Sequence, residues 1–173
     1  MPRMRRLVDQ GLVAHIGVSN HNLAQWQEAE RALGGPVLSN QVLFNLVDRR
    51  PERELVPFAQ EHDRIVIAYS PLGQGLLSGK YQDSPPSNLL RRRRSSFSAA
   101  NRARLSPLIA ALREIGNRHS ATPAQVSLAW LIRKPNVVAI PGASSVYQLE
   151  ENVASGDIDL SDQESARLDS LSA

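Results

Sequence analysis

No cysteine occurs in the 173 residues, which removes disulfide scaffolds, thiolate metal sites and thiol nucleophiles together. Aromatic residues are scarce at 5%, too few to interleave with basic residues as a nucleic-acid stacking platform. Long apolar runs are missing as well. The stretches 65–68 and 137–140 are far shorter than a bilayer requires. The basic start, Met1-Pro2-Arg3-Met4-Arg5-Arg6, is not followed by an apolar segment, so no secretory signal is read and a cytoplasmic protein is expected. Lysine is nearly absent, with Lys80 and Lys134 alone, and neither stands at an expected strand end.

What is present suffices for a folded domain. Apolar residues make up 42% of the chain, enough for a core, and the length fits one domain over 1–173. The net charge is only +3, but arginines cluster at Arg5-Arg6, Arg49-Arg50 and Arg91-Arg92-Arg93-Arg94. Such runs read as solvated loops or as contacts to phosphate on a small molecule, and nucleic acid is not expected as a partner.

Apolar β-branched runs at 13–18, 37–43, 65–69 and 137–140 read as buried strands. Between them lie helical periods. Residues 21–33 place Leu23, Trp26, Ala29 and Leu33 on one face, and Arg50-Pro51 opens a helix reaching Glu61. A further helix runs from about Asn101. Thr122-Pro123 starts the next, Ser144 or Ser145 leads into 148–154, and Ser161 caps the last. The irregular stretch 70–100 is long enough to be functional. Alternating strands and helices predict an α/β fold with four parallel strands and outer helices.

Polar or glycine residues gather after each strand: Ser19-Asn20, Asn40-Gln41, Ser70 onward, and Gly142-Ala143-Ser144-Ser145. In parallel α/β folds the carboxyl ends of strands carry the ligand site, so these residues are expected on one rim. Backbone N–H groups near Gly142 suit a phosphate. No spacing of His, Asp or Glu suggests a metal, and His15, His21, His62 and His119 read as packed or surface residues.

These segments, Gly17-Val18-Ser19-Asn20, Asn40-Gln41-Val42, Ala68-Tyr69-Ser70-Pro71-Leu72-Gly73, Ile140-Pro141-Gly142-Ala143-Ser144 and Gln148-Leu149-Glu150-Glu151-Asn152, resemble in order and spacing the second half of an aldo-keto reductase. The resemblance implies half of a (β/α)₈ TIM barrel, carrying the equivalents of strands five to eight. It implies that Ser19, Asn20 and Gln41 bond a nicotinamide carboxamide and that Tyr69 stacks on its ring. Ser70, Leu72, Gln74 and Gly75 would line the pyrophosphate, and Gly142, Ser144, Gln148, Glu151 and Asn152 the adenosine end. The cofactor would be NADP, with NAD not excluded, because many relatives carry Arg or Lys where Ser144 stands. Arg94 is a candidate to supply that charge.

The same resemblance places the family's catalytic Asp, Tyr, Lys and His on the first four strands, so no catalytic residue is expected here. The chain then reads as the cofactor-binding half of an oxidoreductase of aldehydes or ketones, its carbonyl substrate requiring the other half. The alternative is a non-catalytic nucleotide-binding or assembly module. Half a barrel exposes two strand edges and an inner face, with Ile16, Val18, Leu43, Ile67 and Val138 or Ala139 as inner-face candidates, so self-association is expected.

Overall fold

A computed structural model describes residues 1–82, 86–87 and 95–172. Helix α1 (Pro2–Asp9) precedes β1 (Gly17–Ser19), α2 (Leu23–Leu33), β2 (Ser39–Leu43), α3 (Leu55–Glu61) and β3 (Ile65–Tyr69). After an irregular stretch come α4 (Ala99–Arg118), α5 (Pro123–Ile132), β4 (Val137–Ile140), α6 (Val146–Ala154) and α7 (Asp162–Leu171). The strands form one sheet in the order β1-β2-β3-β4, and every pairing is parallel.

The expected strands are all present, but β1 is shorter than 13–18. Pairing of Gly17 with Ser39 sets a register that puts Pro36 opposite Ala14, and proline has no N–H to extend the ladder. Among the described residues, the one backbone bond joining the approach to β1 with the approach to β2 is Leu38 N–H to the Ile16 carbonyl at 2.7 Å. Gly17 lies close against β2: a Cβ there would meet Ser39 Oγ and force that hydroxyl to turn aside. The helix expected from Arg50 begins instead as a 3₁₀ turn, Arg50–Glu52, before α3.

Sheet residues alternate sharply. Asn40, Val66 and Ala68 are fully buried, with Val42 and Val137 close behind. Trp26 of α2 meets Phe58 of α3 edge-on at 5.2 Å, and its indole N–H bonds the Val37 carbonyl at 2.9 Å. That bond fixes α2 against the entry to β2. The opposite face is open: Ser19, Gln41, Ile67 and Val138 form one row across the strands, and Leu43, Tyr69 and Ile140 another. Val138 and Ile140 are 49% and 45% exposed. Of the inner-face candidates, Leu43, Ile67 and Val138 lie on this face. Val18 and Ala139 share rows with Asn40 and Ala68 on the helix side, and Ile16 is buried ahead of β1. Helix α6 has no buried residue, and its stripe of Val146, Leu149 and Val153 faces solvent.

Charge ties α7 to the body. Ser161 caps it through a reciprocal box with Glu164, whose carboxylate also receives Arg118 at 3.1 Å and His119 at 3.1 Å. Arg167 pairs with Glu114 at 2.6 Å, and Arg49 reaches Asp169 at 2.9 Å. Burial pushes the Glu164 carboxyl up, but bonds from the Ser161 N–H, His119, the Ser161 hydroxyl and Arg118 outweigh it and bring it down to about 2 from 4.5. A folded pKa below the unfolded one stabilises above the unfolded value, and that contribution drains as pH falls from 4.5 toward about 2. Glu164→Gln is expected to cost about 1–2 kcal/mol at neutral pH and to flatten the acid limb of the stability curve. Urea titrations between pH 2 and 7 check it; parallel curves for the two proteins would contradict the assignment.

Candidate functional site

The rim at the carboxyl ends of the strands is built from backbone that rarely suits ordinary side chains. Asn20, just past β1, has φ 57°, and Ser70, just past β3, has φ 50°. Both are in the left-handed region, where non-glycine residues persist only under surrounding constraint. At β1 the constraint is visible. Asn20 N–H and Ser19 Oγ both donate to the Gln41 carbonyl, at 2.9 and 3.0 Å. Asn40, fully buried, donates through Nδ2 to the His21 carbonyl at 2.8 Å. Asn40 therefore clamps the loop from the helix side and does not face the rim, although its neighbour Gln41 does.

After β3 the chain turns twice. Gly73 N–H returns to the Ser70 carbonyl and Gly75 N–H to the Leu72 carbonyl, each at 2.9 Å. Gln74 and Gly75 are successive left-handed residues with φ 57° and 95°. A Cβ on Gly75 would lie 3.1 Å from the Tyr81 ring and 3.2 Å from Lys80 Cε, so glycine fits on space as well as on φ. After β4, Ser145 Oγ caps α6 by accepting Gln148 N–H at 3.2 Å. Gln148 Oε1 accepts from both Ser144 N–H and Ser144 Oγ, at 2.8 and 3.0 Å.

The loops after β3 and β4 enclose a cleft of ≈ 530 Å³. One wall holds Ser70, Leu72, Gln74 and Gly75, and the other Gly142, Ser144, Gln148, Glu151 and Asn152. Asn152 Nδ2 is shielded from solvent and has no hydrogen-bond partner. Sequence reasoning passed over Lys80, which lines this cleft because the Gln74–Gly75 reversal folds its loop back. It also passed over Gln125, at the start of α5. The Gly79-Lys80 pair within a glycine-spaced loop was the available signal.

The remaining candidates lie beside the cleft. Ser19 and Gln41 share a row on the open sheet face. Asn20 and Tyr69 line a smaller hollow of ≈ 330 Å³ with His21, Arg50 and Leu55. There Asp48 holds Arg50 in a two-pronged pair at 2.6 and 2.8 Å, and that hydrogen bonding raises the guanidinium pKa. Arg94 and the rest of the four-arginine run lie outside the described residues. Among the described residues, no cluster of three His, Asp or Glu suits a metal ion, and no helix is long and apolar enough to cross a membrane.

The family model for the aldo/keto reductase family matches residues 1–173. An uncharacterised oxidoreductase of Mycobacterium tuberculosis is 55% identical over 163 residues, covering 94% of this chain and 50% of that protein. A methylglyoxal reductase of Escherichia coli is 34% identical over 167 residues, covering 96% and 50%. The crystal structure of an aldo-keto reductase from Klebsiella pneumoniae in complex with NADPH superposes with TM-score 0.73 at 34% identity, covering 97% of this chain and 51% of that one. The chain thus spans about half the length of the relatives it matches.

The Asn40 clamp gives a direct test of how the rim is held. Asn40→Ala leaves the His21 carbonyl without its side-chain donor and opens a buried gap, so a loss of about 1–3 kcal/mol is expected in urea denaturation. A loss near zero would mean the β1 loop is held by other contacts.

Proposed function

The chain belongs to the aldo/keto reductase family, and from that membership we propose that it forms the cofactor-holding half of an NADP(H)-dependent oxidoreductase of aldehydes or ketones. The observation that carries this is the cleft between the loops after β3 and β4, where nine residues expected at a dinucleotide meet around an unpartnered buried amide on Asn152. The residues present fit such a group. Ser70, Leu72, Gln74, Gly75 and Lys80 would line the pyrophosphate, while Gln148, Glu151 and Asn152 would hold the adenosine end. Tyr69 offers a planar face to the nicotinamide, with Ser19, Asn20 and Gln41 beside it as amide and hydroxyl partners. The bound nicotinamide supplies a hydride.

The choice of NADP follows the NADPH-bound relative from Klebsiella pneumoniae, since Ser144 carries no charge for a 2′-phosphate and Lys80 is placed with the pyrophosphate wall. A cytoplasmic enzyme is the setting this reading implies.

We place the acid that protonates the carbonyl on further strands covering the open sheet face, in the manner of a (β/α)₈ barrel of which this chain is one half. The exposed row of Val138 and Ile140, the edges of β1 and β4, and the solvent-facing stripe of α6 support that reading. The second reading, a non-catalytic nucleotide-binding or assembly module, draws on the fact that both walls of the cleft come from this chain.

For the 173-residue chain alone, calorimetry is expected to give weak NADPH binding that Asn152→Ala weakens further by about ten-fold, the value of one hydrogen bond near 1.4 kcal/mol. No aldehyde-dependent NADPH oxidation is expected, since a missing proton donor commonly forfeits about 10²–10⁴ in rate. Affinity unchanged by Asn152→Ala would move the cofactor elsewhere, and saturable turnover would mean the acid is on this chain.

Association is the other consequence. Open parallel edges and an uncovered apolar face are expected to drive the isolated chain into dimers or larger species. Light scattering that returns a monodisperse 19.0 kDa monomer with a sharp thermal transition would contradict it.

A further inference from the structure

We propose that Asn45 is a positioning residue for the nicotinamide end of the site, holding the loop after β3 in its binding shape; this rests on the cofactor reading above. Asn45 lies two residues beyond β2 and is 2% exposed. It does not line the cleft, so it acts only through what it holds.

Its carboxamide is used at both ends. Nδ2 donates to the Ser70 carbonyl at 2.9 Å, while Oδ1 accepts from Val47 N–H at 2.8 Å and from Asp48 N–H at 3.0 Å. Its backbone exchanges a further pair of bonds with Asp48, both at 3.1 Å. The Ser70 carbonyl that it grips also receives Gly73 N–H at 2.9 Å. Ser70 is the left-handed residue at which the chain leaves β3, and nothing in its own side chain favours that conformation. The carbonyl is thus fixed from two directions, once from within the turn and once from a neighbouring loop.

The loop that carries Asn45 is itself anchored. Arg49 donates to the Asp169 carbonyl at 2.8 Å and the Ser172 hydroxyl at 2.9 Å, and it stands over the Trp130 ring. The Ser70 carbonyl is therefore referenced through Asn45 to α5 and α7, the rigid outer layer. Tyr69 precedes Ser70 and Leu72, Gln74 and Gly75 follow it, so releasing this one bond moves the stacking ring and the pyrophosphate wall together. The adenosine wall hangs from β4 and keeps its own support through Ser145 and Gln148.

Only a side chain that donates and accepts at this reach satisfies all three bonds. Aspartate in its ionised form keeps the two acceptor bonds and loses the donor, so Asn45→Asp assayed at about pH 8 removes the grip on Ser70 and leaves the bonds within its own loop. Asn45→Ala removes both.

The test compares wild type, Asn45→Asp and Asn45→Ala as full 173-residue chains, each first shown by thermal scan to be folded. Amide hydrogen exchange is read over 70–75 and, as a control, over 142–148. NADPH is titrated beside adenosine 2′-monophosphate, which carries the adenosine end and no part of the pyrophosphate. We expect exchange over 70–75 to speed up about ten-fold or more in Asn45→Asp, with the control segment unchanged. We expect the NADPH dissociation constant to rise about ten-fold while that of adenosine 2′-monophosphate stays within about two-fold. A folded Asn45→Asp with unchanged exchange over 70–75 overturns the proposal, as does equal weakening of both ligands, which a merely structural role would give. A wild type that binds neither ligand sinks the cofactor reading, and exchange then decides Asn45 alone.

Discussion

Parallel pairing is the constraint from which the site follows. Strands that run the same way must each return over the outside, so every chain exit from the sheet falls on the same rim. The register makes this concrete: Ser19, Gln41, Ile67 and Val138 stand abreast, and the exits after them differ by only a residue or two. Within β2 the pleat divides adjacent amides between two tasks. Asn40 turns into the helix layer and fastens the β1 loop; Gln41, one residue on, looks across the open face.

How much of this was legible depends on which feature left a mark in residue type. β3 reads correctly at Ile65–Tyr69 because five apolar residues end abruptly at Ser70-Pro71. Helix starts at Thr122 and Ser161 read correctly because a capping hydroxyl and a glutamine or glutamate three residues on are chemically distinctive. The face each strand residue takes did not read. Val66 and Ile67 are equivalent in sequence, yet one is fully buried and the other lies on the open face. A strand apolar on both sides carries no alternation to reveal its register, so Val18 and Ala139 could not be sorted from Leu43 and Val138. β1 was overestimated because the limit on its length comes from Pro36 on the neighbouring chain segment, a long-range fact.

The site residues divide along the same line. Residues whose chemistry and position both pointed at a ligand, such as Ser70, Gly75, Gly142 and Asn152, meet at one cleft. Those that act by holding backbone were invisible in that role. Asn45 and Asn40 look in sequence like any other amide near a strand end, and only burial with a carbonyl partner separates a clamp from a contact. Lys80 went unseen for a geometric reason: three residues in succession with positive φ, Gly73, Gln74 and Gly75, reverse the chain, and a lysine five positions past Gly75 comes back to the cleft.

The two ends of the site also differ in how much of the fold they need. The two walls of the cleft hang from β3 and β4, which are adjacent and paired over four residues. Their shape is secured by local bonds at Gly73, Gly75, Ser145 and Gln148. Ser19, Asn20 and Gln41, proposed for the nicotinamide end, stand at the sheet's outer strand pair, where β1 contributes only three residues. An edge strand of that length has little pairing of its own to oppose distortion. On the proposed cofactor reading, affinity for the adenosine half and orientation of the reactive ring would therefore rest on different parts of the sheet, and it is the second that would gain most from a strand laid against the open edge of β1.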